Sequence, residues 1–517
     1  MFRPNEEGGG LRRLAVRGAG VTVISQAAVF AVQMIATVIL ARLLAPADFG
    51  VVTMVTTFSL LLASFGQNGY NEAVIQRSEL TDALASNLFW INVAVGFVMM
   101  VGFAAAGSLL AKFYRDARVA HVAIAISTTI FISNVSVLHL ALLKRAMRFS
   151  VTSVNEIFSG AVSVLVMIIL AWKGTGYWAL VAGAIARVLM QAIGAWYLCR
   201  WIPGLPRRVA GTGGVARFAT HVYGRYSINY FARNADNLLV GWRFGSNSLG
   251  FYKKAYDLFV LPANQLLAPI ADVALATLSR LDYRSDQYRR YLLNGLSILA
   301  FVGMGIGGCL TLEGKDFIRL LLGPKWGVAG QIFTYFGPGI GIMMIYSQNG
   351  LMHLSIGRAD RWFRWIIVEF VVTGLLFLAG LPLGPSGIAI AWTTSFWILT
   401  VPAFWYAGRP IGFSVKPVIE VIWRYVVGSA MAGFASAAVM RVASPVLAAP
   451  GFVGALVRIM INCSMFSALY IGAVILLHGN REPLLRVARL LPDLIPGGQA
   501  FKYDAAVEVV AVSPQTR

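Results

Sequence analysis

The stretch LFWINVAVGFVMMVGFAAAGSLL, residues 88–110, contains no charged residue. A run of about 20 apolar residues is the length that an α-helix needs to cross the hydrocarbon core of a bilayer. Such runs recur along the whole chain, which has 517 residues, 58% hydrophobic and 13% charged, with a mean hydropathy of +0.71. A soluble domain of this length carries more charge and fewer apolar runs. The sequence therefore predicts an all-α polytopic membrane protein.

The formal net charge of +21 is spread over the short breaks between the apolar runs. Membrane topology explains this distribution better than nucleic-acid binding, which would gather basic residues in one soluble patch. Cys199, Cys309 and Cys463 show no metal-ligand spacing, so neither a disulfide framework nor a metal site is expected. The polar N-terminus has no small-residue cleavage site and is interpreted as leading into a retained first helix.

We predict fourteen membrane spans. They lie near residues 19–41, 48–66, 83–110, 119–142, 153–172, 177–199, 215–241, 249–278, 291–312, 328–353, 362–381, 386–406, 419–440 and 453–477. With both termini in the cytoplasm, most Lys and Arg residues fall on the cytoplasmic side, as the positive-inside rule requires. Residues 1–18 and 478–517 would then form a cytoplasmic N-terminus and a cytoplasmic tail. No predicted loop is long enough for an extramembrane catalytic domain.

Two loops indicate an internal duplication. KRAMRFSVTSVNE, residues 144–156, and GRADRWFRWIIVE, residues 357–369, both contain R-A-x-R and an aromatic residue, then a glutamate eight positions after the second arginine. An offset of 213 aligns Arg145 with Arg358, Arg148 with Arg361, and Glu156 with Glu369. A weaker pair is ARLLAPADFG, residues 41–50, and GWRFGSNSLG, residues 241–250, which aligns Arg42 with Arg243.

The duplication predicts two six-helix lobes, residues 19–200 and 214–407, followed by two extra helices within residues 418–477. Six is an even number, so both lobes would share one orientation and be related by a pseudo-two-fold axis along the membrane normal. Transporters built in this way bind substrate between the halves. The alternative is chance similarity between short arginine-rich cytoplasmic loops.

The seventh predicted span contains an unusual polar stripe, RFATHVYGRYSINYFARNAD, residues 217–236. The stripe recurs every four residues and drifts only about 40° per step around a helix; its members are Arg217, His221, Arg225, Asn229 and Arg233, flanked by Tyr223, Tyr226 and Tyr230. An arginine facing lipid near mid-membrane costs about 2.5–3.5 kcal/mol, so we expect the stripe to face a watery cavity. A helix lying on the membrane surface and structural ion pairing are the alternatives.

Carboxylates within predicted spans are candidates for proton or cation coupling, because burial in a span favours the neutral form. The candidates are Asp236, Asp272 and Glu369, with Glu156 as a further one. Asp236 lies one turn beyond Arg233 and is expected to be its ion-pair partner. For the two glutamates, the alternative is a salt bridge within their own arginine-rich loops.

Three other polar residues lie within predicted spans. Arg187, in the sixth span, either faces Arg233 across the cavity and extends the basic wall, or serves helix packing or snorkels to the membrane interface. His121 and His139, in the fourth span, are interpreted as packing residues.

Six strings together resemble one known family: ARLLAPADFGVVTMV, AVIQRSELTDALASNLFWIN, KRAMRF, GYWALVAG, NYFARNADNLLVGWRFG and LLGPKWGVAG. Their order and spacing are similar to the polysaccharide-transporter (Wzx-type flippase) branch of the multidrug/oligosaccharidyl-lipid/polysaccharide (MOP) flippase superfamily. The resemblance implies about 14 transmembrane helices in two lobes around a central cavity. It also implies transfer of an undecaprenyl-diphosphate-linked oligosaccharide across the bacterial inner membrane for exopolysaccharide, lipopolysaccharide or capsule synthesis, beside a polymerase and glycosyltransferases.

The predicted function is therefore a flippase that works by alternating access, without a cofactor and without catalytic residues. Arg225 and Arg233, with Arg187 as a third candidate, would bind the diphosphate; the remaining predicted substrate-binding residues are His221, Asn229, Tyr226 and Tyr230. An exporter of drugs or of a lipid II-like substrate is the alternative within the superfamily. A membrane ligase or polymerase is a third possibility, but the sequence lacks a phosphate-binding glycine loop, H-E-x-x-H or a nucleophile elbow.

Overall fold

A computed structural model describes residues 31–65, 80–206, 212–443 and 451–485. The described residues form helices and connecting turns without a β-strand, so the predicted all-α class is confirmed. The helices are α1 Ala31–Leu43, α2 Pro46–Phe65, α3 Asp82–Tyr114, α4 Arg118–Arg145, α5 Phe149–Trp172, α6 Tyr177–Cys199, α7 Thr212–Leu278, α8 Asp286–Leu322, α9 Gly327–Phe336, α10 Gly339–Tyr346, α11 Gln348–Ser355, α12 Ala359–Gly380, α13 Gly384–Gly408, α14 Lys416–Ala443 and α15 Gly451–His478.

Within the described ranges, nine helical segments are long and apolar enough to cross a membrane, or ten when the bent pair Pro324–Phe336 and Gly339–Ser355 is counted. One of the nine, Ala359–Ile411, contains both α12 and α13, separated by a 3-10 turn at Leu381–Leu383. The polar helix α7 is not among the nine, and α1 is described over too few residues to qualify. The chain is thus a multi-pass membrane protein, and the number fourteen stays a prediction.

Helix α7 differs from the prediction at the junction between the seventh and eighth spans. Instead of a loop over residues 242–248, the helix is broken at a single residue, Gly245, with φ 79° and ψ −178°. A residue with a Cβ is strained at such a φ, whereas glycine adopts it readily. One residue therefore replaces the expected loop.

The described chain forms two compact units. The first comprises the described residues within Met1–Phe259, Gly314–Phe336 and Phe363–Ser395, and the second comprises those within Val260–Glu313, Gly337–Trp362 and Phe396–Arg517. Helices α7, α8, α12 and α13 each contribute residues to both units. The predicted lobes 19–200 and 214–407 stay a prediction.

In the first unit, α4 packs along α2, α3 and α6. Its residue His139 is fully buried, with its ring stacked on Trp196 at 4.2 Å and Nε2 3.2 Å from the carbonyl oxygen of Trp201. His139 is therefore a packing residue, as predicted. His121, at the start of the same helix, is exposed, so the packing interpretation is wrong for it.

In the second unit, α8 packs against α15 through two polar pairs that the sequence analysis did not anticipate. The Sγ atoms of the free cysteines Cys309 and Cys463 lie 2.8 Å apart. One turn further along α8, the buried carboxylate of Glu313 accepts a hydrogen bond from Asn462, which in turn accepts one from Ser436 of α14 at 2.5 Å. These contacts join α8, α14 and α15.

The two arginine-rich loops adopt the same turn but at a different offset. Met147 (φ 55°) and Gly357 (φ 71°) occupy equivalent positions, and in each loop the next residue donates its N–H to a carbonyl five residues earlier. This backbone equivalence has an offset of 210, so Arg148 matches Arg358. The predicted offset of 213 is wrong for the backbone, and Glu156 and Glu369 are not equivalent positions.

The arginine side chains nevertheless follow the predicted offset. Arg148 donates to the carbonyl oxygen of Leu198 in the last turn of α6, and Arg361 donates to that of Tyr406 near the end of α13. Basic side chains at helix C-termini satisfy unpaired carbonyls there. The two loops thus provide the same kind of cap from arginines that differ by one helical turn in backbone position.

A reciprocal contact joins the corner between α1 and α2 to the break in α7. A Cβ on Gly50 would overlap the carbonyl oxygen of Ser246, and a Cβ on Gly250 would overlap that of Pro46. Such an exchange is what a local two-fold relation between residues 46–50 and 246–250 would produce. The contact supports an internal duplication in which these two segments are offset by 200 residues and not by the predicted 201.

At the same corner, α1 and the turn between α8 and α9 each cap the other's helix end with a cationic side chain. Arg42 donates to the carbonyl oxygen of Leu320 at the end of α8, while Lys325 donates to those of Arg42 and Leu44 at the end of α1. The buried indole of Trp326 donates to the carbonyl oxygen of Ala41 at 2.8 Å. Each helix end is thus capped from the other segment, which stabilises the corner.

Candidate functional site

The first unit contains a cavity of about 750 Å³ lined by α1, α2, α4, α5, α6 and α7. One of its ends is marked by the α1–α2 corner. The turn between α5 and α6 reaches the same end, because a Cβ on Gly176 would lie 3.2 Å from the carboxylate of Asp48. We call this the corner end of the cavity; the depth of a residue is its distance from this end along its helix.

An ion pair lies deep in the cavity. Arg187 of α6 and Glu156 of α5 both line it, with Nη2 and Oε1 3.9 Å apart and both side chains half-exposed. At about 1.5 Å per residue, Arg187 lies roughly 16 Å along α6 from Gly176, and Glu156 roughly 24 Å along α5 from Trp172. The pair is therefore about 20 Å from the corner end. Arg187 therefore lines the cavity, where its described partner is Glu156 and not the predicted Arg233.

Two of the predicted tyrosines also line the cavity, and the nearer to the break at Gly245, Tyr230, lies roughly 22 Å along α7 from it. Tyr226 and Tyr230 face the cavity with ring centroids 6.0 Å apart. A third, Tyr223, donates its hydroxyl to the carbonyl oxygen of Leu61 at 3.0 Å and so ties α7 to α2. Aromatic rings of this kind offer flat apolar faces with a polar edge, which suits packing against sugar rings.

The basic stripe is described only in part. Arg233 is exposed and is not among the described residues that line the cavity. The side chains of Arg217, His221, Arg225 and Asn229 lie outside the described residues. Whether they bind substrate stays a prediction.

Among the coupling candidates, Asp236 occupies the most enclosed described position. It is 1% exposed and accepts hydrogen bonds from the Tyr252 hydroxyl and the Asn237 backbone N–H, both at 2.8 Å. The described partners of its carboxylate are therefore different from the predicted Arg233. Because Tyr252 lies beyond the break at Gly245, this bond links the two limbs of α7.

Neither Asp236 nor Glu369 is among the described residues that line the cavity. Glu369 lies half-buried on α12, and the side chain of Asp272 lies outside the described residues. Within the described part of the chain, no group of three or more His, Cys, Asp or Glu residues could hold a metal ion.

Lys254 is a lining residue that the sequence analysis missed. Its Nζ lies 4.2 Å over the ring of Phe49, which is the fourth residue of α2. Lys254 therefore sits at the corner end, at a depth of about 5 Å. The sequence offered little signal, because the neighbouring Lys253–Asp257 pair, four residues apart, is typical of a solvated helix face.

Between these two levels the wall is rich in hydroxyl groups. Thr53 and Thr56 of α2 lie roughly 10–15 Å from the corner end, and Ser163 of α5 lies at a similar depth. Their hydroxyls donate to backbone carbonyls at 2.7–3.4 Å. A hydroxyl that donates in this way still has lone pairs with which to accept hydrogen bonds from a polyhydroxylated ligand.

Two solved membrane transporters share this fold. Superposition on the lipid II flippase MurJ in its inward closed conformation gives a TM-score of 0.71 at 13% identity, covering 91% of this chain and all of the other. An inward-facing multidrug resistance MATE family transporter of the MOP superfamily gives 0.61 at 12% identity, covering 74% of this chain and 94% of the other. The fold is that of the MOP superfamily of membrane transporters.

The sequence then identifies the family. A family model described as "Polysaccharide biosynthesis protein" matches residues 39–330, more than half of the chain, so the protein belongs to the polysaccharide biosynthesis protein family. The predicted resemblance is thereby confirmed.

Relatives support the same family. The teichuronic acid biosynthesis protein TuaB of Bacillus subtilis is 26% identical over 63% of this chain and 67% of its own length. The succinoglycan biosynthesis transport protein ExoT of Rhizobium meliloti is 22% identical over 70% and 73%. The lipopolysaccharide biosynthesis protein WzxC of Escherichia coli is 20% identical over 80% and 85%. All three relatives are named for the biosynthesis of a polysaccharide, and ExoT is named as a transport protein.

Proposed function

We propose that the protein is a flippase that moves an undecaprenyl-diphosphate-linked oligosaccharide from the cytoplasmic to the periplasmic leaflet of the bacterial inner membrane. The observation that carries the proposal is the composition of the cavity wall in a chain of this family. The deep part of the wall contains a guanidinium and two tyrosines, and a belt of hydroxyls lies between this part and the corner end. These groups match the three parts of such a headgroup, which are phosphate, sugar rings and sugar hydroxyls.

Arg187 is the described residue that we assign to the diphosphate. A guanidinium binds phosphate oxygens in a bidentate manner. Its contact with Glu156 is 3.9 Å long and half-exposed, and such pairs contribute only about 0–1 kcal/mol. An incoming diphosphate can therefore displace the carboxylate. Arg225 and Arg233 remain proposed partners of the same group.

The charge of the wall argues against export of cationic drugs. Among the described lining residues, Arg187 and Lys254 are cations and Glu156 is the one carboxylate. A cavity for cationic drugs needs an excess of carboxylates. An anionic headgroup fits this balance better.

Transport by alternating access requires an element with two arrangements, and we assign this role to α7. The Asp236–Tyr252 bond spans the break at Gly245, so proton or cation binding at Asp236 would change the link between the limbs. Asp272 and Glu369 remain further coupling candidates. The proposed topology has both termini in the cytoplasm, and a polymerase and glycosyltransferases are the proposed partners.

The test uses a strain that lacks the gene and accumulates the lipid-linked intermediate. We would restore wild type, Arg187→Gln or Arg187→Lys and determine which leaflet holds the intermediate. We expect wild type to move it to the outer leaflet, Arg187→Gln to leave it on the cytoplasmic side, and Arg187→Lys to be intermediate. Arrival of the intermediate at the outer leaflet without this protein or a paralogue would refute the flippase proposal.

A further inference from the structure

The amine of Lys254, at the corner end, makes no ion pair with a carboxylate among the described residues, and the one described carboxylate whose charge acts on it is Asp257. Its amine lies over the ring of Phe49, and Asp257, three residues further along α7, is paired with Lys253 at 2.7 Å. A cation–π contact positions an ammonium group without cancelling its charge. The amine therefore keeps donors available for an anion that enters the cavity.

Lys254 and Arg187 are too far apart to bind one diphosphate. Lys254 is about 5 Å from the corner end and the Arg187–Glu156 pair about 20 Å, so the two cations differ in depth by roughly 15 Å. The two phosphorus atoms of a diphosphate share a single bridging oxygen, so the group cannot reach both levels. An anion at Lys254 must be a different part of the ligand.

The wall between the two cations is lined by hydroxyls, among them Thr53, Thr56 and Ser163. In the proposed function, the diphosphate occupies the Arg187 level, and the sugars extend from it along this belt. A sugar several rings away from the diphosphate would then lie beside Lys254. The lysine is placed to bind a charged substituent on that sugar.

We propose that Lys254, held by Phe49, is a second anion subsite that binds a carboxylate on the oligosaccharide. The substrate class is thus an acidic repeat unit, one that contains a uronic acid or a similarly placed carboxylate. This inference rests on the proposed flippase function. It narrows that function from any lipid-linked oligosaccharide to those with negative charge beyond the diphosphate.

The experiment uses the full-length protein in proteoliposomes with two matched substrates. One is an undecaprenyl-diphosphate-linked oligosaccharide that contains a uronic acid, and the other is the same molecule with that carboxyl reduced to an alcohol. Transfer between leaflets is measured for wild type, Lys254→Gln, Lys254→Arg and Arg187→Gln. Size-exclusion profiles and thermal unfolding show that each variant is folded.

We expect Lys254→Gln to slow transfer of the acidic substrate by about ten- to a hundred-fold, the effect of losing one charged hydrogen bond. The neutral substrate should be unaffected by Lys254→Gln, and Lys254→Arg should retain most of the acidic transfer. Arg187→Gln should slow both substrates, because both contain the diphosphate. Equal slowing of both substrates by Lys254→Gln would assign the lysine to the diphosphate and overturn the inference.

Absence of any effect of Lys254→Gln on either substrate would also overturn it. The flippase proposal would survive both of those results, because wild type would still move the two lipids. If folded wild-type protein moved neither lipid, the flippase proposal itself would fail, and the subsite assignment with it. The two failures are therefore distinguishable in one set of measurements.

Discussion

The reciprocal contact at the α1–α2 corner makes Gly50 and Gly250 the positions where a single methyl group should cost most. A Cβ at either glycine would overlap a backbone carbonyl, which cannot rotate away as a side chain can. Overpacking of this kind typically costs about 1–3 kcal/mol. Alanine at a helical position otherwise gains about 0.5–1 kcal/mol over glycine.

The matched control is Gly102→Ala in α3, where a Cβ would meet no atom within 4 Å. We expect Gly50→Ala and Gly250→Ala each to be less stable than this control by about 1–3 kcal/mol, measured by unfolding in detergent. The double variant should lose less than the sum of the two losses, because moving the corner once relieves both overlaps. Equal stability of Gly50→Ala and Gly102→Ala would refute the close approach.

Three further predictions concern single contacts. The hydrogen bond from Arg118 lowers the pKa of Asp116, which lies in the turn before α4. The contribution of this ion pair to stability is therefore present above about pH 4 and is lost as the pH falls through the lowered pKa. Asp116→Asn should reduce the free energy of unfolding at pH 7 and flatten the acid limb of an unfolding-versus-pH series. Tyr252→Phe should leave the buried Asp236 carboxylate with one described bond fewer and lower the free energy of unfolding by about 1–3 kcal/mol. Trp326→Phe removes the donor to the end of α1, a loss of about 1 kcal/mol in the same assay, and adds a cavity cost because phenylalanine does not fill the space of the buried indole.

Each of these predictions has a control that separates the contact from general damage. Arg118→Gln should reproduce the Asp116→Asn profile, and a different profile would argue against the pair. Tyr283→Phe and Trp405→Phe change exposed residues of the same types and should leave stability within about 0.5 kcal/mol. Losses in these controls as large as those at Tyr252 and Trp326 would contradict the assigned hydrogen bonds.

The membrane class and the family were within reach of the sequence, because apolar runs and ordered motifs depend on composition along the chain. The register of the repeat could not be predicted from the sequence. Matching letters aligned Arg148 with Arg361, whereas the turns are equivalent at Met147 and Gly357, where the backbone has a positive φ. The sequence does not reveal that a methionine adopts a positive φ. In addition, an arginine side chain is long enough to cap the same helix end from either register.

The candidate site was predicted in part for a related reason. A stripe with a spacing of four residues drifts by about 40° per step, so over the sixteen residues from Arg217 to Arg233 it turns by roughly 160°. Its members therefore cannot all share one face, and Tyr226 and Tyr230 line the cavity while Arg233 is exposed. Lys254 escaped notice because contacts between helices such as α2 and α7 cannot be read from local periodicity.

The single-residue break in α7 also restricts which insertions and deletions the protein can tolerate. In most membrane proteins, the loop between two spans absorbs inserted or deleted residues without moving either helix. Here Gly245 alone interrupts the helix, and one residue gained or lost between it and Lys254 would rotate all that follows by about 100°. Lys254 would then leave the ring of Phe49, and Tyr252 would leave Asp236. We therefore expect homologues to keep the length of residues 246–254, with sequence variation confined to positions other than Gly250, Tyr252 and Lys254.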